Sequence, residues 1–203
     1  VSQVTDDAPD ETLLRRFNEG DAAAFEALMG RYERPLFNFV LRYVGDRQRS
    51  EEILQDTFLR VLERSRDFKG ESKVSTWLYT IARNLCIDES RKRKHRKHRS
   101  LDAPGTTEED GPALVERVPA RGPAVDRAVI AETLGPQIAA AIEGLPEEQR
   151  EVFLMRETQA MPFKDIAAVV GVPENTVKSR MRYALERLQE ALREYEDYVR
   201  ELE

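Results

Sequence analysis

Cysteine and histidine are almost missing from this 203-residue chain: Cys86 is the one thiol, and His95 and His98 are the only imidazoles. A single cysteine can close no intrachain disulfide and no zinc site built on cysteine pairs, and a reducing interior is its default surrounding. Two histidines inside a run of positive charge leave no material for a histidine-dependent triad or a multi-histidine metal centre. Long apolar runs are lacking as well. No stretch nears the roughly 18 residues that cross a bilayer, and the mean hydropathy is -0.59. The opening VSQVTDDAPD has neither the basic nor the apolar segment of a secretion signal. The acidic residues show no metal-ligand spacing. The expectation is a cytoplasmic protein with no membrane insertion, which is not an enzyme and holds no metal or cofactor.

What the chain has in quantity is charge, unevenly placed. Residues 1–100 carry 20 basic and 17 acidic side chains, and residues 101–203 carry 12 and 21, within a net charge of -6. Arg91 to Arg99 reads RKRKHRKHR, and then the composition changes abruptly. From Leu101 to Pro123 come Pro104, Pro112, Pro119 and Pro123, three glycines and an acidic EED cluster, with little apolar periodicity. That is linker composition. It divides the chain into a domain at 10–99, a flexible acidic linker at 100–123 and a second domain at 124–203.

Apolar residues recur at spacings of three and four in both halves, and strand-like alternation is absent, so the fold class is all-α: two small helical domains. Phe25, Leu28, Met29, Tyr32, Leu36, Val40 and Tyr43 form one stripe, expected to kink or break at Pro35. Ile53, Leu54, Phe58, Val61 and Leu62 form a second, and Val74, Trp77, Leu78, Ile81 and Leu85 a third. Asp10 to Asn18 reads as a short leading helix, with Gly20-Asp21 as stop and fresh N-cap. Gly135-Pro136, Gly144-Leu145-Pro146, Met161-Pro162 and Gly171-Val172-Pro173 mark helix boundaries or kinks in the second half.

Two patterns point to nucleic acid. In Phe163 to Met181, a short helix with Ile166, Ala167 and Val170 on one face meets Gly171, which permits a left-handed turn residue, and a second helix packs through Val177 and Met181. That is a helix-turn-helix, whose second helix enters the major groove. Its outward positions hold Asn175, Thr176, Lys178, Ser179 and Arg182, with Arg180 placed for phosphate. The other pattern, Gly70 to Asp88, runs into the basic tract and interleaves aromatics with basic and amide groups. Trp77 and Tyr79 are candidates to stack on unpaired bases, and Arg83 and Asn84 to reach the backbone or a base edge.

In order and content the chain resembles the sigma-70 family of bacterial transcription initiation factors, in its small extracytoplasmic-function (ECF) branch. Asp21 to Leu28, Ser50 to Leu62 and Ser75 to Asn84 are similar to the helices of sigma region 2, and Leu145 to Leu154 leads into the helix-turn-helix of region 4. The resemblance implies an alternative sigma factor that binds core RNA polymerase, directs it to promoters by reading -10 and -35 elements and assists strand opening. Region 2 then docks on the coiled coil of the largest catalytic subunit through Glu51, Gln55, Asp56, Phe58 and Arg60. The loop Phe68, Lys69, Gly70, Glu71, Ser72 and Lys73 captures a flipped -10 base, and Asn84 reads the last paired bases upstream of the bubble. Region 4 reads the -35 element and meets the flap of the second-largest subunit, and the linker runs toward the RNA exit path. An anti-sigma factor is the further partner implied.

The chain departs from the family in two places. Housekeeping members carry a pair of tryptophans where Thr80 and Ile81 stand here, so the wedge that props the duplex open is missing. Many ECF members carry arginines where Tyr183 and Leu185 stand. Leu185 fits the core stripe, and Tyr183 keeps a phosphate donor. Glu190 to Glu203 is expected to continue the last helix as an acidic extension. Two other classes fit part of the pattern: a helix-turn-helix regulator independent of polymerase, and a sigma mimic that sequesters an anti-sigma factor.

Overall fold

The computed structural model describes the backbone of residues 8–101 and 126–195, and the side chains of residues 8–93 and 134–195. Among the described residues the regular structure is helical throughout: α1 (Asp10–Asn18), α2 (Ala22–Val44), α3 (Arg47–Arg64), α4 (Val74–Leu101), α5 (Asp126–Glu143), α6 (Glu147–Gln159), α7 (Phe163–Val170) and α8 (Glu174–Ala191). The linker expected at 100–123 lies, beyond Leu101, outside the described residues.

Local chemistry sets most of the boundaries. Asp21 and Asp46 accept hydrogen bonds from Ala24 N at 3.3 Å and Arg49 N at 2.6 Å, each satisfying an orphan amide in a first turn, a contribution of about 1 kcal/mol apiece. Three helices of the second half start directly after Pro146, Pro162 and Pro173. A proline fixes its own φ and holds the preceding residue extended, so it begins a helix cleanly. Gly171 closes α7 with φ 76°, the left-handed geometry that glycine adopts without steric cost.

Around Leu28, Leu36, Phe39, Val40, Val61, Val74, Leu78, Tyr79 and Ala82, helices α1 to α4 close one core. Around Val152, Leu154, Met155, Ile166, Val177, Met181 and Ala184, helices α6 to α8 close another part of it. The halves do not stand apart. Helix α4 packs on α7 and α2 on α6, and the buried residues of both halves belong to one continuous apolar cluster.

Several expectations change. Pro35 lies inside α2, which runs unbroken from Ala22 to Val44. An interior proline costs about 3 kcal/mol, and burial of Leu28, Met29, Leu36, Phe39 and Val40 on both sides of it outweighs that at about 1.5–3 kcal/mol for a large side chain. Gly135-Pro136 likewise sits within α5 rather than at its end. Leu62 is exposed, as is Leu59, and the buried face of α3 is Ile53, Leu54, Thr57 and Val61. Leu185 is 48% exposed and does not belong to the core stripe. Helix α8 ends at Ala191 and a short 3-10 turn, Arg193–Tyr195, follows; the remainder of the acidic extension lies outside the described residues.

Candidate nucleic-acid interface

Helix α8 presents its candidate groove-facing side chains outward because Val177, Met181, Ala184 and Leu188 anchor the opposite face. Asn175, Lys178, Ser179, Arg182 and Tyr183 are exposed and Thr176 is half-buried. Lys178 pairs with Glu174 at 2.7 Å and Arg182 with Glu186 at 3.7 Å, both one turn away along α8. The Arg182 guanidinium also lies over the Tyr183 ring, 4.9 Å from its centroid. Such exposed pairs are weak and exchange readily for phosphate. Arg180 differs: it is largely covered, bonded to Glu148 at 2.7 Å and 3.6 Å from Glu151.

The loop before α4 leaves Lys69, Gly70, Glu71, Ser72 and Lys73 exposed, with Gly70 at φ 72°. Phe68 is half-buried against Trp77, ring centroids 5.2 Å apart at 43°, and this contact ties the loop to the first turn of the helix. Asn84 is exposed on α4. Tyr79 is a correction to the stacking assignment: it is 2% exposed, edge-on to Phe39 at 5.4 Å, and is core. Its hydroxyl has no hydrogen-bond partner, and burial pushes its ionisation upward. Helical spacing explains the misreading, because Trp77 and Tyr79 lie some 200° apart around a helix and cannot share a face. Of the positions where housekeeping members carry tryptophans, Ile81 is buried and Thr80 bonds back to the Thr76 carbonyl at 2.8 Å.

On α3, Glu51, Gln55 and Asp56 are exposed and Phe58 and Arg60 are half-buried. Glu51 pairs with Arg47 at 3.2 Å. Leu59 and Leu62 add an apolar component to this surface that the charge ladder alone did not show.

Arg83 is where the structure adds most. Its Nε and one terminal nitrogen grip both oxygens of Glu151 at 2.6 and 3.1 Å, joining α4 to α6 across 68 residues of sequence. The Glu151 side chain is 2% exposed. Burial pushes its carboxyl above the usual carboxylate range, against the opposing pull of Arg83 and Arg180. The Tyr43 hydroxyl donates to Glu147 at 2.9 Å, and Lys73 pairs with Asp165 in the first turn of α7 at 2.8 Å. Sequence reading missed Tyr43, Glu147, Glu151 and Asp165. The only available signal was three acids, Glu147, Glu148 and Glu151, crowded into one α6 segment.

Two sequence families match parts of this chain. Sigma-70 region 2 covers residues 28–96 and Sigma-70 region 4 covers residues 136–188. The chain is 30% identical over 189 residues to the ECF RNA polymerase sigma-E factor of Escherichia coli K12, spanning 90% of this chain and 94% of that one. This chain belongs to the ECF branch of the sigma-70 family. The ECF sigma factor SigW of Bacillus subtilis is 29% identical over 181 residues, covering 89% of this chain and 95% of that protein. Among solved structures, this sigma factor is similar to RpoE from Bartonella quintana, solved in complex with the anti-sigma factor NepR (TM-score 0.60, 27% identity, 78% of this chain and 89% of that one). It shares its fold with CnrH, solved with the cytosolic domain of CnrY (TM-score 0.65, 20% identity, 90% and 96%). No described helix is long and apolar enough to cross a membrane, and no described cluster of His, Cys, Asp and Glu is arranged to hold a metal.

Proposed function

We propose that this ECF sigma factor binds core RNA polymerase, brings it to promoters by reading a -35 element as duplex and a -10 element as separating strands, and helps the strands part. The observation that carries this is the pairing of two presentation surfaces in one chain. Helix α8 offers Asn175, Lys178, Ser179 and Arg182 on an exposed face fixed by a buried one. Helix α4 and its loop offer Gly70 to Lys73 and Asn84 beside a half-buried Trp77. Donors on a rigid helix suit base edges in the major groove, and a glycine-bearing loop beside an aromatic suits an unpaired base.

The exposed face of α3, with Glu51, Gln55 and Asp56 around Leu59 and Leu62, is the surface assigned to the polymerase coiled coil: an apolar patch ringed by charge is the anatomy of a protein interface. An anti-sigma factor is the second partner proposed, on the likeness to the Bartonella quintana complex. Runoff transcription with purified core polymerase on a genomic template library tests the reading. Discrete transcripts whose starts share two upstream elements are the expected result. Their absence, or tight sequence-specific binding by the isolated chain, would instead identify a polymerase-independent regulator.

A further inference from the structure

The segment between Ser65 and Val74, which contains the loop that the promoter reading places on an unpaired base, is tied at both ends to α1. That helix precedes the residues matched to region 2. Asn18, the last residue of α1, donates through Nδ2 to the Ser65 carbonyl at 3.0 Å, where the chain leaves α3 through the 3-10 turn Ser65–Asp67. Glu11, in the first turn of α1, accepts from the Val74 amide at 3.4 Å, where the chain enters α4. A spacing of seven returns to the same side of a helix, so Glu11 and Asn18 share a face, with Leu14 buried between them.

Neither end of the segment secures itself. The Lys73 carbonyl accepts the first bond of α4, from Trp77 N at 3.1 Å, which makes Lys73 the N-cap residue, yet its side chain has no acceptor. The Glu11 carboxylate fills that role from another helix, at the end where the α4 dipole favours negative charge. At the other end the Ser65 carbonyl is shared by Asn18 and by the Phe68 amide at 3.4 Å. The bond from α1 therefore fixes the turn that sets Phe68 on Trp77. Asn18 Oδ1 is buried without a partner, a cost that an apolar side chain of the same size would not carry. What Asn18 supplies is the anchor.

Helix α1 is itself pinned. Asp10 is bound by Arg31 at 2.7 Å and by the Tyr32 hydroxyl, both on α2, and Leu13 and Leu14 are core. The eight residues between the two anchors could reach about 30 Å if extended, but the two holds on α1 lie roughly 10 Å apart along its axis. The excess chain must bow outward, and Lys69 to Lys73 are accordingly exposed.

We infer that α1 is a clasp that positions the -10 loop: Asn18 and Glu11 hold its two ends, so that Phe68 to Lys73 keep the shape presented to an unpaired base. The inference rests on the proposed promoter reading and names two positioning residues within it, both acting through the loop.

The test uses the full chain and its complex with core polymerase. Asn18→Leu keeps the side-chain size and removes the donor; it is compared with Glu11→Ala, with the two combined, with wild type and with Glu11→Gln, which keeps an acceptor. Acrylamide quenching of Trp77 in the free chain reads the loop. Abortive initiation on matched duplex and bubble templates reads its use, with thermal unfolding and core affinity measured alongside. Stronger quenching is expected, with initiation lowered about threefold by each single change and about tenfold by the pair, the net effect of one and of two hydrogen bonds. The defect should be equal on both templates, with unfolding and core affinity near wild type, and Glu11→Gln should behave as wild type throughout. Unchanged quenching in the double variant overturns the clasp. Stronger quenching with wild-type initiation overturns the positioning role, as does a defect confined to the duplex template. If the double variant is unfolded, Asn18→Leu alone decides by the same readings. A wild-type protein that fails to initiate would defeat the promoter reading instead, and quenching still accepts or rejects the clasp.

Discussion

Trp77 rests on Phe68 with ring centroids 5.2 Å apart, and this contact couples the indole to the loop at residues 68–73. Trp77 is the only tryptophan in the chain, so tryptophan emission reports on this one side chain, packed between the core and that loop. Addition of a single-stranded oligonucleotide carrying a -10 element to the factor bound to core polymerase is expected to quench or shift the emission. Phe68→Ala is expected to red-shift the free protein and cost about 0.5–1.5 kcal/mol beyond the area lost. Emission indifferent to DNA would remove Trp77 and its loop from the downstream contact.

Asp56 is exposed on α3. Asp56→Lys is expected to weaken core-polymerase binding while changing fold stability by no more than about 1 kcal/mol. Leu59→Ser and Leu62→Ser should do the same without altering charge, because neither side chain is part of the core. Pull-down with purified core, paired with thermal unfolding, checks both. Wild-type affinity in all three variants would move the interface elsewhere.

The proposed promoter reading divides readout between the halves. Arg182→Ala is expected to cost about 1–3 kcal/mol at one or two positions of the upstream element, and Asn84→Ala to impair initiation from duplex promoters but much less from a pre-opened bubble. Alanine substitution of Gly70 to Lys73 should stay defective on both templates, since capture of an unpaired base still operates. Abortive initiation on matched templates measures the difference. Identical behaviour of the Asn84 and loop variants would show the split to be misplaced.

Tyr79 presents a buried hydroxyl with no partner. An orphaned polar group of this kind costs about 1–3 kcal/mol, so Tyr79→Phe is expected to raise the unfolding free energy by about 1 kcal/mol, with wild-type initiation retained. Chemical denaturation of the two proteins measures it. A loss of stability would mean that the hydroxyl is bonded in solution.

Cys86 is wholly buried on α4, and desolvation pushes its thiol from 9.0 up to about 12. The folded state keeps this proton where the unfolded chain releases it. Its contribution is therefore intact below pH 9 and is lost as pH climbs toward 12. Labelling by a disulfide reagent at pH 8 should proceed only at the rate of opening, and rapid stoichiometric labelling of the native protein would contradict the burial.

Helix content, the leading helix at Asp10–Asn18, the turn at Gly171 and the outward face of α8 were readable from spacing and turn chemistry, because each depends on residues within a few positions of one another. Pro35 and Leu62 were not. Whether a proline interrupts a helix, or a leucine at a stripe's edge is buried, depends on what packs alongside, and that information sits on α1, α3 and α4. Tyr79 shows the same limit at the site: an aromatic among basic residues reads as a base-stacking group until Phe39, forty positions earlier, is seen against it.

By itself, then, the amino-acid order determined the two helical units, their family and the residues facing outward from α8, all consequences of short-range periodicity and of the residue types that caps and turns demand. The tertiary structure alone decided how the units meet. Arg83 and Glu151 are 68 positions apart, and their attraction leaves no local trace. A carboxylate on an amphipathic helix reads as solvated surface until another helix excludes the water around it, and only then do particular cations of the chain, here Arg83 and Arg180, become its necessary partners.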